Sequence, residues 1–528
     1  MSTATAQPQR KENLGPLMRL LVLIENAGNK LPHPFWLFLS LALIVMVISS
    51  LCAAAGLSAV NPATNEAVNA VNLFSMESLR TIVSGVVTNY MEFPALGLVL
   101  IVLFGVAVAE RSGLIPGLMR AALQNVSPKW VTAVVALVGT ASSIASDAAY
   151  MVVIPLGGIA FKAVGRNPVI GCAVAYASVA GGYSAAPFVN SLDAILGGIS
   201  TSAAHIVDGE YTVTPVANLY FNFISMFVVS AAIVLVTELL LNKRGEQLEL
   251  DPAGDDEAQE DEEHAKLTAK LTPLEKRGMV IAAITIVLCF AIVFVLCLPA
   301  NSFLRDEEGG FGPKSGLMAG IAAIIGFGFF IVGIVYGVVV KEIRSPNDIP
   351  EMIIKGLVPF VPVMLLFFAA SQFLALFKMS NLGQILAIVG ADFFKGANTP
   401  PFVILLGALL ITSLGALLIT SGSGLWTLMA PVLVPMLMLL GIAPELTQAV
   451  YRIGDSVTNI ISPMSPYFVM ILGFIQRYKR DAGIGTLLSL TIPLSVVMWV
   501  FWAILFFGWW LTGIPMGPGA HATYTVGG

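Results

Sequence analysis

Long apolar runs alternate along this chain with short polar joints. Windows at 35–54, 216–241, 279–298, 315–340 and 485–512 carry few or no charges. Each is long enough to cross roughly 30 Å of hydrocarbon as a helix. The pattern predicts nine spans: 34–54, 93–110, 168–198, 216–242, 278–298, 315–340, 357–378, 445–476 and 485–512. Two further apolar stretches, 130–165 and 400–441, read as re-entrant hairpins. The expected fold is an all-α polytopic membrane protein with about nine transmembrane helices, plus the two hairpins in an inverted repeat.

Charge orients this scheme. With both hairpins re-entrant, the segments assigned inside hold 21 of the 27 Lys and Arg residues, and Arg452 lies within a span. The excess of basic residues marks the cytoplasmic side. The amino terminus is therefore expected inside and the carboxyl terminus outside. Residues 1–33 are polar and too long for an n-region, and the apolar stretch after them exceeds an h-region, so a cleaved signal peptide is not expected.

The organisation that follows is a cytoplasmic segment 1–33, a first half 34–242 with hairpin 130–165, and an acidic cytoplasmic linker 243–277. A connecting helix and outer loop 278–314 lead to a second half 315–513 with hairpin 400–441, then an external tail 514–528. The linker contains "GDDEAQEDEEHAK" and reads as solvated chain. In the outer loop 56–92, "LFSMESLRTIVSGVVTNYM" reads as an amphipathic helix.

The two halves echo each other. At an offset of 280, Ser143 meets Ser423, Asp147 meets Thr427 and Pro155 meets Pro435; at 279, Pro187-Phe188 meets Pro466-Tyr467. The charge assignment brings the first hairpin in from inside and the second from outside, as in secondary carriers that bind substrate where inverted units meet. Hydroxyl and glycine clusters at 140–147, 181–193, 420–424 and 454–465 occupy the tips and breaks. Helix ends within a bilayer leave backbone groups free, which is tolerated only where they face protein, water or a ligand.

Composition narrows the chemistry. The chain is 57% hydrophobic and 11% charged. Its four cysteines show no metal spacing and its four histidines lie scattered in loops and tails. No GxSxG elbow, HExxH motif or Walker A motif occurs, which argues against a membrane hydrolase or direct use of ATP. Nothing points to nucleic acid or to an enzyme, and two tips from opposite sides favour alternating access over a channel.

Ionisable groups within the apolar regions are the candidate machinery, because a charge at mid-membrane pairs or faces water. Arg452 and Asp455 share one helical face and are expected to form an ion pair, with Arg452 also able to receive a substrate carboxylate. Asp147, beside the hydroxyls of the first tip, suits a small hard cation. Ser143, Asn190, Ser421 and Asn459 are the further candidate sodium ligands, and Asp455 is another possible oxygen donor. Asp193 is the proton candidate. No resident cofactor is expected, only sodium or a proton as coupling ion.

The stretches "NKLPHPFWLF", "SDAAYMVVIPLGGIAFKAVGRNPV", "SGSGLWTLMAPVLVPMLMLLG" and "RIGDSVTNIISPMSPYFVMILGFIQRYKRDAGIGTLLSL" resemble the p-aminobenzoyl-glutamate transporter (AbgT) family from about residue 26 to about residue 519. The resemblance implies a homodimeric, cation-driven carrier in a bacterial inner membrane. It implies import of p-aminobenzoyl-glutamate or a related aromatic acyl-amino-acid anion, with export of sulfonamide antimetabolites as the alternative. Family positions linked to transport match Asp193, Ser423, Trp426, Pro444, Arg452, Asp455 and Pro463. Trp426 is then expected either to stack on an aminobenzoyl ring or to plug the hairpin tip.

Overall fold

The computed structural model describes residues 32–60, 66–123, 126–248, 250–251, 270–311 and 315–525, and within these the side chains of 146–148 are excluded. The expectations for residues 1–31, for most of the acidic linker and for the Asp147 carboxylate therefore lie outside the described residues.

Helix α1 (Pro34–Ala54) opens with proline at its first position, where a missing N–H costs no intrahelical bond. A small antiparallel pair, β1 (Ser58–Val60) and β2 (Ala67–Asn69), follows. Helices α2 (Met76–Met91) and α3 (Pro94–Arg111) form one bent rod, interrupted where Pro94 cannot donate to the helical ladder. Amphipathic α4 (Leu114–Leu123) leads into the first hairpin: α5 (Val131–Ala141), a 3₁₀ turn at Ser142–Ala145, and α6 (Ser146–Ala163). A broken pair comes next, α7 (Pro168–Gly181) and α8 (Ser191–Ala204). Then α9 (Leu219–Val236) passes through a π turn at Thr237–Leu241 into α10 (Asn242–Gln247).

The connecting helix between the halves is α11 (Pro273–Cys297), and the second half starts with α12 (Gly316–Ala319) and α13 (Ile321–Val340). The earlier order of elements then recurs. Helices α14 (Asp348–Leu357) and α15 (Val361–Met379) form a bent rod, and α16 (Leu382–Gly396) is the connecting helix. Helices α17 (Pro401–Leu418) and α18 (Gly422–Leu439) make the second hairpin, α19 (Pro444–Asn459) and α20 (Pro466–Gln476) the second broken pair, and α21 (Ile484–Thr512) the last span.

Among the described residues, nine helices are long and apolar enough to cross a membrane. Seven coincide with expected spans. The other two are α17 and α18, the arms of the expected second hairpin. The expected spans 168–198 and 445–476 are broken within their glycine and proline clusters, giving helix pairs split at 182–190 and at 460–465. Proline and glycine supply the physical reason: "GGYSAAP" and "SPMSP" interrupt the ladder in both. The expected amphipathic helix is α2, and it packs on α15, with Asn89 donating to Gln372 over 3.1 Å.

The two halves exchange contacts. Helix α8 of the first broken pair packs on α18, the returning arm of the second hairpin, and α20 packs on α6, the returning arm of the first. Close backbone approach supports each hairpin within its own half. A Cβ at Gly139 would collide with the Ser178 side chain, and one at Gly454 with Thr412.

The carboxyl-terminal tail is folded back onto the helices. The Phe221 N–H donates to the Met516 carbonyl (3.1 Å) and the Tyr524 N–H to the Gly441 carbonyl (2.9 Å). Ile442 and Thr523 form an antiparallel bridge. At the base of the first hairpin, Arg166 donates to Thr132 (2.8 Å) and to Glu238 (2.9 Å) in the π turn, tying both ends of the hairpin to α9.

Candidate functional site

Helix α19 carries a polar stripe through the protein interior. Glu445, Gln448, Arg452, Asp455 and Asn459 recur at spacings of three and four, so they share one face. The first four are buried, and Asn459 is partly so. Such a stripe is costly in a bilayer protein unless each group finds a partner.

Arg452 finds its partner in the other half of the chain. Its Nη2 lies 2.7 Å from Asp193 Oδ1, with the side chains 2% and 4% exposed. This corrects the expected pairing with Asp455, which was argued from helical spacing alone. Asp193 is held for the role by a reciprocal cap at the start of α8. The Asn190 N–H donates to Asp193 Oδ2 (2.8 Å), and the Asp193 N–H donates to Asn190 Oδ1 (3.2 Å). One carboxylate oxygen thus fixes the helix start while the other meets the guanidinium.

The start of α18 packs beside the same stripe, against Tyr451 and Asp455. Ser421 caps α18 by accepting from the Gly424 N–H (3.2 Å), and the Ser423 hydroxyl lies 3.5 Å from that of Ser421. The Tyr451 hydroxyl donates to the Gly422 carbonyl, satisfying a backbone group at the tip. The approach at 422 is close: a Cβ there would lie 3.1 Å from Asp455 Oδ2. Trp426 is fully enclosed. Its indole N–H donates to Ser200 (3.0 Å), Ser200 donates to Gln448 (3.0 Å), and its ring leans on Tyr451 at 4.6 Å between centroids.

Several buried atoms near the stripe have no hydrogen-bond partner: Arg452 Nε, Asp455 Oδ1, Ser456 Oγ and Asn459 Oδ1. Buried polar atoms are normally satisfied, so a cluster of exceptions marks a place where something polar fits. Pro444 starts α19, and Pro463 lies in the turn between α19 and α20. Of the five candidate sodium ligands, three are engaged locally. Asn190 and Ser421 accept cap bonds, and the Ser143 hydroxyl donates to the Thr140 carbonyl (3.3 Å). Asn459 keeps an unpartnered oxygen, and the Asp147 side chain is outside the described residues. No group of three His, Cys, Asp or Glu residues is placed to hold a metal ion among the described residues.

Sequence reading passed over Glu445, Gln448, Tyr451 and Ser200. The signal for the first two was the stripe itself, legible as polar residues at helical spacing in 444–459. Glu445 is buried and accepts from the Tyr211 hydroxyl (2.9 Å), beneath the folded-back tail, where Tyr524 donates to Asp208 (3.2 Å). A cavity of about 870 Å³ opens elsewhere, between α1, α2 and α15. Arg452 and Asp193 do not line it.

Comparison with known proteins follows the same lines as this geometry. Residues 19–524 match the model of the "AbgT putative transporter family". The p-aminobenzoyl-glutamate transport protein of Escherichia coli (strain K12) is 34% identical over 498 residues, covering 94% of this chain and 96% of that one. The crystal structure of the Alcanivorax borkumensis YdaH transporter superposes with a TM-score of 0.85 at 35% identity, over 92% of this chain and 100% of that one. Neisseria gonorrhoeae MtrF, described as illuminating a class of antimetabolite efflux pumps, superposes with a TM-score of 0.88 at 37% identity, over 95% and 100%. A match across nearly the whole chain, on a helical fold built around buried charge, places the protein among transporters rather than enzymes: it belongs to the AbgT family.

Proposed function

We propose that this protein is a cation-coupled secondary transporter of p-aminobenzoyl-glutamate or a related aromatic acyl-amino-acid anion. The observation that carries the reading is Arg452: a buried guanidinium between the two halves, paired on one side with Asp193 and with its Nε unpartnered. Planar guanidinium donors suit a carboxylate, and a site shared by two halves can open to either side as they move. The printed name of the E. coli relative supports the substrate class.

In this reading the paired arms α5–α6 and α17–α18 are re-entrant and enter from opposite faces of a bacterial inner membrane. The amino terminus is cytoplasmic, the tail is external, and the working unit is a homodimer. The coupling ion is sodium or a proton. Asn459 and Asp455 offer unpartnered oxygens to sodium, whereas Asp193 is the carboxylate for a proton relay.

The second reading is proton-driven export of sulfonamide antimetabolites, favoured by the described role of MtrF. Uptake and counterflow in proteoliposomes, with sodium and pH gradients imposed separately, decide between them. Accumulation of p-aminobenzoyl-glutamate driven by an inward sodium or proton gradient supports import. Movement of sulfonamide alone, against an inward proton gradient, supports the second reading. Transport of neither defeats both.

A further inference from the structure

The contact between α6 and α20 is the counterpart of that between α18 and α8, because each joins the returning arm of one hairpin to the second helix of the other half's broken pair. The two are fastened differently. On the α18 side, Trp426, Ser200 and Gln448 form a hydrogen-bonded chain. On the α6 side, the rings of Tyr150 and Tyr467 lie face to face, with centroids 3.7 Å apart and planes 5° from parallel.

We propose that the Tyr150–Tyr467 stack is an aryl slot, taking the para-aminophenyl ring common to p-aminobenzoyl amides and sulfonamides. The inference rests on the functional reading above and adds a subsite to it. Trp426 is the obvious alternative platform, but its ring is enclosed against Tyr451 and its indole N–H is engaged. A centred face-to-face sandwich is the less favoured arrangement of two rings, so offset or edge contacts with an incoming ring compete well with it. The two tyrosine rings come from opposite halves of the fold, so relative movement of α6 and α20 separates them. Burial is unequal: Tyr150 is 5% exposed, while Tyr467 is partly open. Phe188, at the position equivalent to Tyr467 in the first half, is 59% exposed, so the stack is particular to one side.

Arg452 and Tyr467 belong to the same broken helix pair. Arg452 lies within α19, which ends at Asn459; the turn 460–465 then leads to Tyr467 at the start of α20. One continuous stretch of chain thus presents a guanidinium at one end and a ring face at the other.

The test uses full-length protein in detergent and three probes: p-aminobenzoyl-glutamate, sulfanilamide, and cyclohexanecarbonyl-glutamate, which keeps the carboxylates but has no aromatic face. Tyr150→Leu and Tyr467→Leu each weaken the two aryl probes about tenfold and the cyclohexyl probe less than about twofold, since one ring face is lost. Tyr150→Phe and Tyr467→Phe keep the preference for aryl probes. Independently, p-aminobenzoyl-glutamate or sulfanilamide protects Tyr467→Cys, but not Phe188→Cys, from a thiol reagent, which keeps the test open if a leucine variant unfolds. Equal loss of all three probes, unchanged aryl affinity, or absent protection overturns the slot. Should sulfanilamide bind through the tyrosines while p-aminobenzoyl-glutamate does not bind the wild type, the substrate reading fails and the slot stands. If neither aryl probe binds, the slot fails too.

Discussion

Arg452 on α19 and Asp193 on α8 meet at 2.7 Å with almost no exposure, so the one ion pair described at the centre of the fold is a bond between its halves. Removing one member leaves the other charged, buried and uncompensated. Asp193→Asn is expected to destabilise the protein by about 3–5 kcal/mol, and the double variant Asp193→Asn/Arg452→Gln by less than the sum of the singles. Thermal unfolding in detergent across the four-member cycle checks this; additive losses would remove the pairing.

Ser423 and Gly422 separate binding from scaffold at the second tip. Ser423→Ala removes a hydroxyl whose neighbour is another serine, and is expected to change stability by less than about 0.5 kcal/mol while weakening substrate binding. Gly422→Leu drives a side chain into the Asp455 carboxylate and is expected to cost about 1–3 kcal/mol with or without ligand. Substrate affinity measured beside thermal stability distinguishes them.

Trp426→Phe keeps most of the ring contact with Tyr451 but leaves Ser200 without its donor. The expected loss is about 1–3 kcal/mol, and Ser200→Ala in the same background should add little. A large further loss from Ser200→Ala would show that the bond to Gln448, rather than the indole, holds this site.

Glu445 and Tyr211 make the corresponding contact under the tail. Glu445→Gln retains an acceptor for the Tyr211 hydroxyl and is expected to be mild. Glu445→Leu leaves that hydroxyl unsatisfied, at about 1–3 kcal/mol. Urea or thermal titration of both variants provides the comparison, and equal losses would assign the effect to packing alone.

Much of the architecture was legible because bilayers impose a coarse rule on sequence. The two hairpins expected at 130–165 and 400–441 appear as paired helices over 131–163 and 401–439, and "GGYSAAP" and "SPMSP" mark both helix breaks. Apolar run length and helix breakers carry that information locally. The partner of Arg452 was not legible in this way. Helical spacing favoured the near carboxylate of Asp455, whereas the choice of Asp193 is made by tertiary contact between α8 and α19. The enclosure of Trp426 by Ser200 and the return of the tail to Gly441 are likewise long-range facts with no local signature.

The Asp193–Arg452 pair also sets a problem of timing. A ribosome makes α8 well before it makes α19, and Ser200 precedes its acceptor Gln448 by 248 residues. Until then the newborn first half holds a carboxylate in the bilayer whose countercharge has not been synthesised, an arrangement hydrocarbon penalises. A first half made alone is therefore expected to hold Asp193 without the partner it has in the whole chain.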